Sequence, residues 1–483
     1  MKPYIILIGA YERDNFGDLL YPKIYEKILG SYITIKTSLI GRNLTENGGD
    51  CVVSTRDFLT IQKDFLPLAV IHCGGETIPL LKKNAVSMDL PPIPKQYENI
   101  GPYCEAEIAD KLVSSDNPFG YLFNYRDFMQ EKDVFPIAYM SVGGSSLEQK
   151  ADDSDLLSAV KSKLKYAKFI GVRDRKTWNF LKRRLRIKAR FYPDVVSIIS
   201  RTHYKEVAKA ATDPQIRRII HGNPYILFQV SSTKIDEFKI QELVDILGDI
   251  AEKMNKSLIF QPAGLAGGHD SLEKLRMIAK LISENNPKIN VIVQEDRDLW
   301  KLVAVIANAY CCVGTSLHVR IVATSFARPC VSLSDEKVNS YVESWKIDKQ
   351  PYNIFPKELP EAIERAIKID SVTLKQTSDY LADRVEEGLQ EMTTKLGLKY
   401  SQNIGVTAIN KSMQANLFKS LAIETDRLRE LAAKEIIEKY TMETELRTIK
   451  SSWYWKLIVF LEKTKKAINK INTTLIRMKT IDK

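Results

Sequence analysis

Residues 310–334 read YCCVGTSLHVRIVATSFARPCVSLS. The apolar run from Ala309 to Val313, closed by Gly314, predicts a buried strand. Thr315 and Ser316 carry hydroxyls suited to capping a helix over Leu317 to Phe326. Arg328-Pro329 stops that helix, and Cys330 to Leu333 predicts the next buried strand. Strand, Gly-Thr-Ser turn, helix and strand form a βαβ crossover whose helix start is able to receive an anion. His318 titrates near neutral pH and Arg320 is a fixed cation, and both fall in the first helical turn. Taken alone, the turn would also suit an ordinary helix start with solvated polar residues. The surrounding chain favours a ligand site.

Upstream, the same alternation repeats. Tyr225 to Val230, Ser257 to Gln261 and Ile289 to Val293 predict strands; Ile240 to Met254, Ser271 to Ser283 and Arg297 to Ile306 predict helices. Residues from about Ser200 to Asn223 are basic and helical in tone, and suit a crossing linker. Before it, Tyr4 to Ile8, Leu68 to Cys73, Phe135 to Val142 and Phe169 to Val172 predict four more strands. Each ends in glycine or charged residues: Gly9 through Asn15, Gly17 and Asp18; Gly74-Gly75-Glu76; Gly143-Gly144; and Arg173-Asp174-Arg175. Tyr192-Pro193-Asp194 closes this half. An open parallel sheet presents a site at the carboxyl ends of its strands in this way. The first loop lacks GxGxxG and is too long for a dinucleotide fingerprint. Asp18 is read either as a helix N-cap or as a carboxylate that orients substrate. His269, in a glycine-rich loop, is read as an ordinary loop histidine. The fold class is therefore α/β: two Rossmann-like halves, residues 1–200 and 220–345, facing a cleft. Residues 84–133 interrupt the first half with prolines and aromatic rings, read either as a lid or sugar-stacking wall or as a cover for the sheet.

The 483 residues, 44% hydrophobic and 27% charged, suit a globular chain of two or three domains. Six cysteines without CxxC spacing argue against a disulfide framework or zinc site, and for a reducing compartment. No metal ligand set is expected. No stretch has the length of a membrane span, and the N-terminus reads as a core strand rather than a signal peptide. The expected location is the cytoplasm, at the inner face of the cytoplasmic membrane. The net charge of +11 is concentrated at the C-terminal end. The body carries no nucleic-acid-binding signature, so the expected partner of the basic tail is an anionic membrane surface. Residues 355–450 read as a helical region, in which Leu417, Leu421, Leu428 and Leu431 leave open either homo-oligomeric pairing or packing on the body. Residues 451–483 begin with Ser451-Ser452-Trp453-Tyr454-Trp455 and continue as a lysine-rich amphipathic tail suited to an interface.

In order, Gly9-Ala10-Tyr11 with Asn15-Phe16-Gly17-Asp18, Val70 through Gly75, Ser141-Val142-Gly143, Gly171 through Asp174, Tyr192-Pro193-Asp194 and Val313 through His318 resemble the polysaccharide pyruvyl transferase family. The tail's Ser452-Trp453-Tyr454-Trp455 is similar to a segment at the ends of bacterial surface-polysaccharide glycosyltransferases. Two positions depart from the family pattern: Ser316 stands where an arginine is frequent, and Glu76 follows two glycines where three are common. The resemblance implies a GT-B-like fold, phosphoenolpyruvate as donor and no cofactor. It also implies a sugar diol, on an oligosaccharide or lipid-linked precursor, as acceptor. The second domain would be the donor side and the first, with its insertion, the acceptor side. Arg173, by correspondence, and Arg320, by position, would clamp the donor together with Lys337, Gly314, Thr315, Ser316 and Leu317. His318 would be the general acid or base, and Asp18 and Asp194 would orient the acceptor. Asn15, Gly17, Gly74, Gly75 and Gly143 would line the substrate. A nucleotide-sugar glycosyltransferase and a non-catalytic scaffold of polysaccharide assembly are the alternatives.

Overall fold

A computed structural model describes residues 4–55, 67–88, 117–124, 135–347, 349–400 and part of 423–445. Most of the 84–133 insertion, most of the heptad-like helix and the whole 451–483 tail lie outside these residues.

The first sheet has eight strands: β1 (Tyr4–Ile8), β2 (Ile33–Ser38), β3 (Arg42–Asn43), β4 (Cys51–Ser54), β5 (Ala69–Gly75), β6 (Ile137–Val142), β7 (Phe169–Val172) and β8 (Arg190–Phe191). Their order is β3-β4-β2-β1-β5-β6-β7-β8, parallel except where β3 meets β4. The second sheet is wholly parallel: β9 (Tyr225–Gln229), β10 (Ser257–Phe260), β11 (Val291–Val293), β12 (Cys311–Gly314) and β13 (Cys330–Ser332), ordered β11-β10-β9-β12-β13. The central strands are unbroken apolar runs because helices cover both faces; β1 and β9 are buried at every residue. Strand order reverses beside β1 in one sheet and beside β9 in the other. At such points the loops diverge and leave a crevice. The two crevices face each other, giving the GT-B-like, two-Rossmann arrangement expected from the sequence.

The core has three parts. One apolar cluster joins the facing sides of the two sheets through the helices between them, and the other two fill the outer faces. Phe119, Tyr121 and Phe123 belong to the outer cluster of the first sheet. These three rings of the insertion therefore cover the sheet rather than stand in a sugar wall.

Six helices position the residues of the cleft: α1 (Phe16–Ile28), α2 (Arg175–Arg183), α3 (Leu299–Asn308), α4 (Leu317–Ser325), α5 (Glu336–Trp345) and α6 (Ser371–Leu396). Asn15, not Asp18, caps α1, accepting from the Gly17 amide. α4 is buried on every side, as expected of a helix between two domains. α6 runs back from the second domain to the first, and buries Leu381, Val385, Leu389 and Met392 in the shared core. Gly388 permits that crossing, because a Cβ there would lie 2.6 Å from the Tyr192 ring.

Candidate active site

The facing crevices enclose a cavity of about 520 Å³. The β1–α1 loop is clasped to the second domain: Asn15 bridges to Gly264, the Phe16 amide donates to the Ala263 carbonyl (2.9 Å), and Arg297 grips Asp14 through two nitrogens (2.6 and 3.1 Å).

At the base of the cavity lies a buried polar cluster. The Tyr21 hydroxyl, on α1, donates to Asp194 Oδ2 (2.7 Å) and accepts from the Gly75 amide (3.1 Å). Arg173, at the end of β7, donates through Nη1 to Asp194 (3.0 Å) and through Nη2 to Glu76 (3.4 Å). His318 Nε2, on α4, lies 3.1 Å from the Tyr21 oxygen and 3.8 Å from Asp194 Oδ2. Because Tyr21 gives its proton to the carboxylate, the network assigns the ring proton to Nε2 and the lone pair to Nδ1. Nδ1 faces Gly17, where a Cβ would sit 1.9 Å away. Gly74, at φ +70, lies under the Tyr21 ring, 2.1 Å from where its Cβ would be. Gly17 and Gly74 thus make room for the cluster; they do not line the cavity.

Burial sets the charge states. It holds the His318 pKa below the usual imidazole value, with the nearby Arg173 cation adding to the effect against the pull of Asp194, so the ring is neutral at pH 7. Burial, then Asp194, raises the Tyr21 hydroxyl well above its ordinary range. For Arg173, burial opposes the charge, but Tyr21, Asp194 and Glu76 outweigh it and keep the guanidinium firmly protonated.

The cavity is lined by Asn15, Asp18, Gly75, Arg173 and Glu76 from the first domain. Thr315, Ser316, Leu317, His318 and Lys337 face them from the second. Asn15 Nδ2 donates to Asp18 Oδ2 (3.0 Å), and Arg13 sits 3.6 Å from the same oxygen. The start of α4 is fixed by Gln229, whose Oε1 accepts from the amides of Thr315 (3.0 Å) and Ser316 (2.8 Å). Its amide nitrogen is held by both oxygens of Asp270 (2.9 Å each). Burial pushes Asp270 up to about 6 against these bonds.

The structure corrects five further sequence-derived readings. Arg320 points away from the cavity, and its guanidinium donates to Ser332 Oγ and to the carbonyls of Ile347, Gln350 and Pro351. It staples the segment after α5 and is not a donor clamp. Asp194 is fully buried behind Tyr21 and Arg173, so it positions the cluster and does not meet an acceptor. Gly314 and Gly143 give their side-chain space to Gln229 and Glu76, 2.7 and 2.2 Å from where a Cβ would be. His269 is not an ordinary loop histidine: it lines the cavity, with Nε2 3.3 Å from Asn15.

Tyr21, Gln229 and Asp270 escaped the sequence reading. Ser141, read only as part of a motif, has a left-handed backbone at φ 61. Its hydroxyl donates to the Pro193 carbonyl (3.4 Å) and accepts from the Val195 amide (2.8 Å), fixing the turn that carries Asp194.

A cleft between two parallel-sheet domains, with a buried arginine, a neutral histidine and a helix start converging on it, defines an α/β enzyme of the two-Rossmann class. A model of the polysaccharide pyruvyl transferase family matches residues 9–336, and the chain belongs to that family. No curated protein matches the chain. Among solved structures it is similar to a UDP-GlcNAc 2-epimerase from Neisseria meningitidis, at 11% identity and TM-score 0.46, over 82% of this chain and 100% of that one. It is also similar to S. aureus MnaA, at 11% and 0.49, over 83% and 100%. A third is sucrose-phosphate synthase from Thermosynechococcus elongatus, at 12% and 0.43, over 82% and 98%. No described helix is long and apolar enough to cross a membrane.

Proposed function

We propose that the protein transfers the pyruvyl group of phosphoenolpyruvate to two hydroxyls of a cell-surface glycan or its lipid-linked precursor, forming a ketal. The observation that carries this reading is the Arg173–Tyr21–His318 cluster at the start of α4. It offers a fixed cation and a neutral imidazole on opposite domains of one cleft.

The reaction sets definite demands. One sugar oxygen bonds to C2 of the enol while C3 gains a proton and becomes a methyl group. The second oxygen bonds to the same carbon as the C–O bond to phosphate breaks. One hydroxyl proton ends on C3, and the other leaves with phosphate. Arg173 and Lys337 offset the donor's negative charge. The start of α4, held by Gln229, presents its first amides to an anionic oxygen. His318 takes the attacking hydroxyl's proton, while Tyr21 and Asp194 hold the ring and support the charge it gains. Asn15 and Asp18 orient the acceptor.

Isothermal titration with phosphoenolpyruvate and with nucleotide sugars tests the donor. Binding of phosphoenolpyruvate supports the reading. Binding of nucleotide sugars alone would replace it with glycosyl transfer.

A further inference from the structure

We infer that Glu76 sits in the seat that the donor's carboxylate takes on binding. This inference rests on phosphoenolpyruvate being the donor. Three hydrogen-bond donors converge on the Glu76 carboxylate: Ser145 Oγ (3.0 Å), the Ser146 amide (3.3 Å) and Arg173 Nη2 (3.4 Å). The wall is hollowed to admit it at Gly143, where a Cβ would stand 2.2 Å from Oε2. The pocket is thus shaped and wired for a carboxylate on the cavity side of Arg173.

Arg173 carries two carboxylates, and they differ. Asp194 is held at 3.0 Å with its side chain 0% exposed; Glu76 is held at 3.4 Å with 17% exposed. Charged hydrogen bonds of this kind run at about 2.7–2.9 Å when tight, so the Arg173–Glu76 contact is the looser of the two and the more open to solvent. Asp194 is the permanent partner and Glu76 the displaceable one.

Charge balance favours such a displacement. Among the described residues, four cations, Lys or Arg, and four carboxylates line the cavity, with both histidines held towards neutrality by burial. A donor bearing a carboxylate and a phosphate meets a lining with no net positive charge. Exchanging one carboxylate for another at the Arg173 fork leaves the buried guanidinium paired throughout. It also releases Glu76 into the cavity mouth, where solvent screens it.

Titration of wild-type, E76A, E76Q and S145A proteins with phosphoenolpyruvate, pyruvate and inorganic phosphate tests the seat. E76A is expected to bind phosphoenolpyruvate and pyruvate roughly tenfold more tightly than wild type, about 1.4 kcal/mol, with phosphate unchanged. E76Q keeps the side-chain volume against Gly143 and is expected to shift in the same direction. S145A is expected to bind both carboxylates more weakly. Equal or weaker carboxylate binding by E76A and E76Q overturns the inference, as does a gain for phosphate without one for pyruvate. A fall in kcat at unchanged donor affinity would make Glu76 a reacting group and also overturn it. If pyruvate binds more tightly to E76A but no variant turns over phosphoenolpyruvate, the seat stands and the proposed reaction falls.

Discussion

Replacing Gly17 with alanine probes the site through a single methyl group. The new Cβ would lie 1.9 Å from His318 Nδ1, 2.3 Å from Cγ and 2.7 Å from Cε1. Reaching an ordinary contact of 3.4 Å requires the ring to withdraw by about 1.5 Å. It has nowhere to go, since Nε2 is already against Tyr21 with Asp194 behind. Overpacking of this kind costs about 1–3 kcal/mol. A reacting group moved by an ångström loses about 100-fold in rate, and the methyl also covers the Nδ1 lone pair. Chemical denaturation and donor-dependent phosphate release measure the two effects. In a His318→Ala background the clash is gone, so the stability penalty of G17A should shrink to within about 0.5 kcal/mol of zero. The steric reasoning is refuted if G17A matches wild type in both assays, or if its penalty survives the loss of the ring.

Tyr21→Phe deprives Asp194 of its 2.7 Å bond and the Gly75 amide of its acceptor; a loss of about 2–3 kcal/mol in urea unfolding is expected. Arg320→Met removes the donations to Ser332 Oγ and to the Ile347, Gln350 and Pro351 carbonyls, of which, among the described residues, Pro351 alone keeps a second donor, the Ser332 amide; it should cost about 3 kcal/mol or more, with kcat unchanged below the melting range because the side chain never reaches the cavity. Asp270 has a folded pKa raised to about 6. Its contribution to stability is therefore full below the unfolded value near 4 and is lost as pH rises through 6, by about 3 kcal/mol. Melting curves from pH 4 to 7 should show D270N gaining that much relative to wild type, and parallel curves would contradict the assignment.

The strands that build the two crevices were legible because burial on both faces leaves a continuous apolar run, as in Tyr4–Ile8 and Cys311–Gly314. β2 was not, because its sequence ITIKTS mixes Lys36 and threonines into the strand; Lys36 is sheltered by Glu26 and Asp50, which no local pattern reveals. The strand-end loops exposed Asn15, Asp18, Arg173 and His318 as candidates. Tyr21 hid within a helix as one more buried aromatic, although three residues past Asp18 it shares that helical face. The Arg320 error was avoidable in principle: positions two apart on a helix point to opposite sides, so Arg320 could not join His318 at one cleft. Asp194 and Gln229 depend on contacts across 173 and 86 residues, which spacing alone does not encode.

The proposed chemistry meets its most direct test in the product. Protein, phosphoenolpyruvate and a glycan fraction with free diols should together release phosphate and yield a glycan carrying an acid-labile pyruvate ketal by mass spectrometry. His318→Ala should abolish both. Phosphate release without a ketal, or a glycosyl adduct formed from a nucleotide sugar and nothing from phosphoenolpyruvate, would contradict it.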